Sequence, residues 1–147
     1  MPQSLANVQI HLIFSTFQRT PNLVPNVRRD LHPYLAATLN QLDCHAIEVG
    51  GVDDHIHVLF RQSRTLTIAK VVQDLKTSSS KMLKSRVRDF SWQSGYGAFS
   101  VSPADSGSVS AYIKDQVDHH KKLTFQEEYR QILEDYGVPF DERFVWD

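Results

Sequence analysis

The middle of the chain contains two alternating β-type segments joined by a glycine-containing turn. They lie in "HAIEVGGVDDHIHVLFRQ" (residues 45–62), and the turn falls near residues 50–54. Such a pair of segments predicts an antiparallel hairpin. One helix-patterned segment precedes the hairpin and another follows it, so the hairpin is expected between two helices.

The remaining segments extend this pattern to a whole fold. Apolar periodicity predicts strands over 8–16 and 98–102, and helices over 26–42, 65–90, 105–123 and 124–137. The order β-α-β-β-α-β, followed by two helices, predicts an α+β fold of the ferredoxin-like or RRM-like kind. Its four-stranded antiparallel sheet has helices on one face. The C-terminal helices are additional, and the other face is either free or covered by them or by a second subunit.

Local sequence signals predict where the helices begin and end and which residues they bury. Pro33 is expected to delay the start of the first helix or to kink it. The second helix should bury one stripe, formed by Ile68, Val72, Leu75, Ser79 and Met82. Ser106 or Ser108 is the expected cap of the third helix. Thr124 and Glu127 form a capping-box pattern at the start of the last helix, and Gly137 is expected to end it.

Composition bounds the class of protein. The 147 residues, 41% hydrophobic and 22% charged, predict a single globular domain spanning 1–147. No apolar run approaches the roughly 20 residues of a membrane helix, and the N-terminus lacks a signal-peptide pattern. The single cysteine, Cys44, has no partner for an internal disulfide. We therefore expect a cytoplasmic protein with no membrane partner.

Charge is unevenly distributed although the formal net charge is −1. Residues 61–88 carry eight lysines and arginines against Asp74 alone, a net charge of +7. Residues 126–147 carry seven acids against Arg130 and Arg143, a net charge of −5. A polyanion would respond to the basic middle, because screening limits charge interactions to about 8–10 Å.

Two histidines begin the second strand of the hairpin. His55 and His57 share one face of that strand because side chains alternate, and Ile56, Val58 and Phe60 share the other. Two neutral imidazoles side by side can form half of a divalent metal site. An H-x-H pair on a strand can also occur by chance, with both histidines as ordinary core residues. Further ligands must come from elsewhere in the chain.

A later helix offers a nucleophile and a further ligand. Tyr112 and Gln116 are four residues apart and share a helical face. A phenol can attack a phosphodiester when a cation polarises the phosphate, and an amide oxygen can ligate that cation. The alternative is that Tyr112 packs and that Gln116 is a solvated surface residue, with His119 and His120 as a solvated pair.

Four stretches carry a family resemblance: "DHIHVLF", "WQSGYGAFSVS", "AYIKDQVDHHKKLTFQEEYRQIL" and "FDERFVWD". Together they resemble the single-tyrosine HUH transposases of small bacterial insertion sequences, including the REP-associated tyrosine transposases. The H-x-H pair alone is a weak signal. Combined with a Tyr-x-x-x-Gln helix downstream, at this length and element order, it is a specific one.

The resemblance implies a mechanism and a set of roles. His55, His57 and Gln116 would bind Mg²⁺ or Mn²⁺, and Tyr112 would be the nucleophile. The tyrosine would cleave single-stranded DNA through a 5′-phosphotyrosine intermediate and release a 3′-hydroxyl, which allows rejoining. The partners implied are single-stranded DNA with hairpins and a second copy of the chain. The tyrosine helix could complete the site of either subunit.

Candidate DNA contacts lie in the basic middle. Lys70, Lys81, Lys84 and Arg88 fall near one face of the second helix and are predicted to contact backbone phosphates, although a solvated face has the same pattern. Trp92 and Tyr96 are predicted either to stack on unpaired bases or to anchor their loop to the core.

Two other functions fit parts of the pattern. The first is a non-catalytic or domesticated module that binds single-stranded DNA or hairpins. The second is a small-molecule metal enzyme using His55, His57 and His119, against which the basic segment argues. Because His55, His57, Tyr112 and Gln116 occur together, the sequence favours a metal-dependent DNA transposase.

Overall fold

Four antiparallel strands form one sheet in the order β2-β3-β1-β4. The computed structural model describes residues 2–147. The strands are β1 (Gln9–Ser15), β2 (His45–Gly51), β3 (His55–Arg61) and β4 (Gly97–Val101). The helices are α1 (Pro25–Gln41), α2 (Ile68–Lys84), α3 (Ser106–Lys114), α4 (Gln116–His119) and α5 (Phe125–Asp135). The predicted α+β, ferredoxin-like order is confirmed.

Strand register divides the sheet into two chemically different faces. Ile13 of β1 lies opposite His57 of β3, and Ser15 lies opposite His55. Residues opposite each other in an antiparallel pair share a face. The odd-numbered residues of β1 and β3, among them His11, therefore form one face, which we call the histidine face. The even-numbered residues form the other, apolar face.

Helices α1 and α2 cover the apolar face. The fully buried core there includes Leu12, Phe14 and Phe60 from the strands, with Leu35 from α1 and Leu75 from α2. The buried stripe of α2 is slightly rotated from the expected one, since Val71 and Leu83 are buried while Ile68 and Met82 are only partly so. Pro33 does not delay the start of α1, because the helix runs from Pro25 to Gln41 with Pro33 inside it.

The C-terminal helices cover the histidine face, which the sequence left open. Ile113 of α3 packs with Leu59 and Val101. From α5, Phe125, Tyr129 and Leu133 pack with Ile13 and Phe99. Of the β1 and β3 side chains on this face, all except the exposed Arg61 are therefore buried within a single chain.

The prediction of one helix over 105–123 is wrong. Helix α3 ends at Lys114, and Asp115 has φ −92° and ψ 16° before the four-residue α4. The predicted serine caps are also wrong, because Asp105 occupies the N-cap position and makes no side-chain capping bond. A 3₁₀ turn over Pro103–Asp105 leads directly into α3 instead. The break at Asp115 lets Gln116 turn inward, where it is 1% exposed.

The last helix follows its sequence signals. Thr124 accepts a hydrogen bond from the Glu127 amide, and the Glu127 side chain accepts one from the Thr124 amide. Gly137 follows the helix with φ +65°, a conformation that favours glycine. Both ends of α5 are thus fixed by local contacts. Among residues 2–147, no helix has the length and apolar character needed to cross a bilayer.

Helix α3 crosses the sheet in close contact with Gly50 of β2. A Cβ at Gly50 would lie 2.4 Å from the backbone oxygen of Ile113 and 2.8 Å from its Cγ2. Gly50 is paired with His57 across the hairpin. The absence of a side chain at this position therefore lets α3 lie directly above the histidines.

Substituting Gly50 tests this close approach. Gly50→Ala should lower the free energy of unfolding by about 1–3 kcal/mol, because an added methyl group must displace the backbone of α3. Chemical denaturation would measure the change. Gly107→Ala, where an added Cβ meets nothing within 4 Å, is the matched control and should not destabilise. Equal stability of Gly50→Ala and wild type would contradict the contact.

Candidate active site on the histidine face

Side chains from two strands and three helices meet on the histidine face. The group comprises His11, His55, His57, Tyr112, Gln116, His120 and Glu128. His55 and His57 are fully buried, Glu128 is 3% exposed, and Tyr112 is half-buried. The predicted residues His55, His57, Tyr112 and Gln116 are therefore brought together, and His11, His120 and Glu128 join them.

Each histidine of the H-x-H pair is oriented through its Nδ1 atom. His55 Nδ1 lies 2.7 Å from an Asp54 carboxylate oxygen, and His57 Nδ1 lies 2.7 Å from His11 Nε2. The Nε2 atoms of both rings then point into the group. A metal-binding histidine is commonly held in this way, because a partner on one nitrogen fixes which nitrogen is free to ligate.

One carboxylate lies at the centre of the group. Oε1 of Glu128 is 3.0 Å from His57 Nε2, 3.2 Å from His120 Nε2 and 3.4 Å from His55 Nε2. Oε2 of Glu128 accepts hydrogen bonds from the Tyr112 phenol and from the Gln116 amide nitrogen, the latter over 3.0 Å. Its two oxygens thus face different partners.

The break before α4 brings Gln116 and His120 to the same place. Gln116 Oε1 lies 3.0 Å from His55 Nε2 and 3.0 Å from His120 Nε2. His120 Nδ1 donates to the backbone oxygen of Leu123 over 2.8 Å, which points its Nε2 atom inward. His119 instead packs beside the Tyr112 ring, with ring centroids 4.6 Å apart. His119 is therefore not the histidine that joins His55 and His57.

Burial and hydrogen bonding shift the pKa values in this group in opposite directions. Burial, reinforced by His57, lowers the pKa of His11 to about 3, and burial lowers the pKa of His57 to about 4. Burial would also lower the pKa of His55, but its hydrogen bonds to Asp54 and Glu128 raise it to about 9. Neutral His57 and charged His55 therefore lie side by side at neutral pH.

The acid and the phenol are shifted as well. Burial would raise the pKa of Glu128, but hydrogen bonds from His120, His55 and His57 hold it far below its usual range. Burial, and next the charge of Glu128, raise the pKa of Tyr112 well above its usual value. The phenol is consequently protonated and donates to an ionised carboxylate.

The donor atoms fit a divalent cation. One ligand atom from each of His55, His57 and Glu128 lies within 4.8 Å of the other two, and all three residues are buried. Imidazole and carboxylate ligands suit several divalent metals. The orienting contacts from Asp54 and His11 to the outer nitrogens support the same assignment. The Gln116 amide oxygen is a further candidate ligand beside His55.

Two open grooves border the group. One, of about 780 Å³, is lined by His120, Lys121, Lys122 and Arg28 among others. The other, of about 550 Å³, lies between α3 and α5 and is lined by Tyr112, Glu128 and Ile132 among others. The nucleophile candidate therefore faces an accessible groove, although the histidines themselves are buried.

The predicted DNA-contact residues lie away from this group. Lys81 and Lys84 are exposed on α2, which packs on the opposite, apolar face of the sheet. Lys70 pairs with Asp74 over 3.1 Å, and Arg88 is almost fully exposed after the end of α2. Their contact with phosphates stays a prediction, and it requires DNA that reaches around the sheet.

The two aromatic candidates have different environments. Trp92 is buried, packs against Phe14 and Phe90, and donates to the Ser79 hydroxyl over 3.0 Å. It anchors its loop to the core, one of the two roles that the sequence allowed. Tyr96 is 39% exposed and remains a candidate for base stacking.

Comparison with known proteins identifies the family. Residues 4–116 match the family model described as "Transposase IS200 like". The chain belongs to the IS200-like transposase family. The matched segment contains His55, His57 and Tyr112 and ends at Gln116. Membership makes this IS200-like protein a transposase, and thus a DNA-binding protein of DNA recombination that cleaves DNA.

Two solved structures share the fold of this IS200-like transposase. One is a transposase candidate from Deinococcus radiodurans R1, with 22% identity, a TM-score of 0.63, and coverage of 79% of this chain and 95% of that chain. The other is a REP-associated tyrosine transposase bound to a REP hairpin, with 10% identity and a TM-score of 0.63. That match covers 84% of this chain and 74% of the other. No curated protein matches the sequence significantly.

Three residues of the site were not singled out from sequence. His11 carried a usable signal, because alternation along β1 puts it on the same face as Ile13 and opposite the core. Glu128 also carried a usable signal, because it is a charged residue on the buried stripe of α5, between Phe125 and Ile132. The sequence allows His120 to be part of a solvated pair with His119. Its inward direction depends on the break at Asp115, which the helical pattern does not predict.

The pKa shifts predict how stability depends on pH in metal-free protein. His11 and His57 have folded-state pKa values below the ordinary 6.5, so the unfolded chain binds more protons and stability is lost as pH falls from about 6.5 toward 3–4. His55 has a raised pKa, so its contribution is present below 6.5 and is lost as pH rises toward 9. Stability should therefore be greatest near pH 6.5 and should fall on both the acid and the basic side.

His11→Gln tests the acid side of this profile. Between pH 7 and pH 4, wild type loses unfolding free energy because buried His11 resists protonation. In the variant this loss should be about 1–3 kcal/mol smaller, because that group is gone. Urea unfolding with a chelator present would measure it. His45→Gln, at an exposed position at the start of β2, is the control. An unchanged pH dependence in His11→Gln would refute the assignment.

Proposed function

We propose that this IS200-like transposase cleaves and rejoins single-stranded DNA through a covalent link to Tyr112. The observation that carries the proposal is the convergence of the phenol, both histidines of the H-x-H pair and Gln116 on one buried site. Half-burial leaves the phenol facing a groove that a DNA strand could enter. The fold shared with a transposase bound to a REP hairpin supports a substrate that contains hairpins.

The reaction that fits is an in-line displacement at a phosphodiester. The Tyr112 oxygen forms a bond to phosphorus while the bond from phosphorus to the 3′ oxygen breaks. The products are a 5′-phosphotyrosine and a free 3′-hydroxyl. The phenolic proton must leave, and the 3′ oxygen must gain one. Attack by another strand's 3′-hydroxyl reverses the step and rejoins DNA without an external energy source.

His55, His57 and Gln116 would hold a Mg²⁺ or Mn²⁺ ion in this proposal. When bound, that ion would neutralise charge on the phosphate and on the departing 3′ oxygen. The protein's own contribution is positioning: Asp54 and His11 fix the two rings, and α3 fixes the phenol. Positioning and charge neutralisation are the main sources of rate enhancement in such transfers.

The arrangement supports cleavage within one chain. Tyr112 lies beside the histidines of its own chain, with 5.8 Å between the ring centroids of Tyr112 and His57. We also propose that the protein is a homodimer that acts on DNA in the bacterial cytoplasm, at the nucleoid. In such a dimer each subunit would hold a complete site.

A covalent-adduct assay tests the nucleophile. Labelled single-stranded DNA from the flanks of the gene, mixed with protein and Mg²⁺ or Mn²⁺, should leave label on the protein in denaturing gels. Tyr112→Phe should abolish the adduct while sparing DNA binding, because only the attacking oxygen is removed. Tyr34→Phe, on the opposite side of the sheet, should keep it.

The outcomes separate the competing functions. An adduct that persists in Tyr112→Phe would remove Tyr112 from its role. DNA binding with no adduct in the wild type would favour a non-catalytic hairpin-binding module. Mixing Tyr112→Phe with His57→Ala should give no adduct if each chain uses its own tyrosine, whereas restored activity would indicate exchange of the tyrosine helix between subunits.

A metal titration tests the histidines. His57→Ala should weaken Mn²⁺ binding at least about tenfold, since the loss of even an outer partner of a metal ligand costs about 10–100-fold. Isothermal titration calorimetry without DNA would measure the affinity. His45→Ala is the control, because His45 is exposed and outside the site. An unchanged titration in His57→Ala would contradict the ligand assignment.

A further inference from the structure

We propose that Glu128 joins the metal site to the nucleophile. In this inference, which rests on the proposed function, its Oε1 atom is a ligand of the divalent cation held by His55 and His57. Its Oε2 atom holds the Tyr112 phenol in place for attack. Glu128 is thus a metal ligand through one oxygen and a positioning residue through the other.

The contacts of Oε1 indicate a cation-binding role. The Nε2 atoms of His55, His57 and His120 lie 3.4, 3.0 and 3.2 Å from it. Each of these rings is oriented through Nδ1, by Asp54, by His11 and by a backbone oxygen respectively. Among these, His55 and His57 each place a ligand atom within 4.8 Å of the other and of a Glu128 oxygen, a donor arrangement that suits a divalent metal.

The contacts of Oε2 are with the nucleophile and its neighbour one turn on. The Tyr112 hydroxyl donates to Oε2, and the Gln116 amide nitrogen donates to the same atom over 3.0 Å. A charge-assisted hydrogen bond of this kind restricts the phenol to one direction. The carboxylate therefore fixes the distance between the nucleophile and the histidines.

Charge balance supports the same assignment. Glu128 is 3% exposed, and its salt-bridge partners within residues 2–147 are histidines. A buried carboxylate needs a compensating positive charge. A divalent cation at Oε1, with His55 and His57 as its other ligands, would supply that charge at a distance where the carboxylate contacts it directly.

Helix α5 holds Glu128 rigidly enough for both contacts. The Thr124 capping box fixes its first turn, and the Phe125 ring packs on the His55 ring with centroids 4.4 Å apart. The Tyr129 hydroxyl approaches Gly97 so closely that a Cβ there would lie 2.5 Å away. Residues on both sides of Glu128 are thus docked against the sheet.

Glu128 also lies beyond the segment that defines the family match. That match covers residues 4–116, whereas α5 begins at Phe125. In this proposal the segment after residue 116 contributes to the site through Glu128 as well as covering the sheet.

Glu128→Gln tests both contacts in the full-length protein. Mn²⁺ affinity, measured by calorimetry without DNA, should fall about 10–100-fold because the charged ligand is lost. At saturating Mn²⁺, the single-turnover rate of adduct formation should remain about 10–100-fold below wild type because the phenol has lost its charged acceptor. DNA affinity should stay within about twofold. Glu134→Gln, exposed on the same helix, is the matched control.

Two further variants separate the oxygens. Tyr112→Phe should bind Mn²⁺ as wild type does, because it removes only the partner of Oε2. Glu128→Asp keeps the charge if Glu128→Gln fails to fold, but its shorter side chain cannot span the histidines and the phenol together. It should therefore cleave slowly even at saturating Mn²⁺.

The proposal can fail independently of the proposed function. Wild-type Mn²⁺ affinity in Glu128→Gln would overturn the ligand role even if Tyr112 forms the adduct. A wild-type rate at saturating Mn²⁺, in Glu128→Gln or Glu128→Asp, would overturn the positioning role. If wild-type protein forms no adduct at all, the proposed function fails, and the calorimetry of Glu128→Gln still decides whether Glu128 is a ligand.

Discussion

A buried carboxylate surrounded by imidazoles is the interaction on which the histidine face depends. Burying a carboxylate is costly unless hydrogen bonds and positive charge compensate for the lost water. Glu128 receives hydrogen bonds or ion-pair contacts from side chains of β3, α3 and α4. The placement of α5 and the inward turn of Gln116 are therefore parts of one network. Removing its centre would leave several buried polar groups without a partner.

Close packing of helices on the sheet keeps this network away from bulk water. Gly50 lets the backbone of α3 lie on β2, and Gly97 lets Tyr129 of α5 lie on β4. Both glycines are on strands, where a side chain would normally stand between sheet and helix. Electrostatic contacts are stronger in such a dry site than at an exposed surface. The fold thus produces the environment in which a histidine and a phenol acquire pKa values far from their ordinary ones.

Local pattern predicted the sheet, its order of elements and the shared face of His55 and His57, because strand alternation and turn chemistry depend on neighbouring residues. It also predicted the capping box of α5. The break at Asp115 was not predictable in the same way, because the residues around it are compatible with a helix. The break is accompanied by a contact between Gln116 and His55, which lies 61 positions earlier in the chain. Glu128 shows the same limit, because a carboxylate on an apolar stripe indicates a buried partner without identifying it.

The two faces of the sheet have different physical requirements. The apolar face is held by α1 and α2, each 17 residues long, over a continuous hydrophobic core. The nucleophile candidate lies instead on α3, which has nine residues, next to a four-residue helix. Helices this short are marginal in isolation and depend on tertiary contacts. For α3 these include the contacts at Gly50 and Glu128. The position of Tyr112 is therefore set by the same carboxylate that faces the histidines, so the nucleophile and the metal-ligand candidates are arranged as one unit.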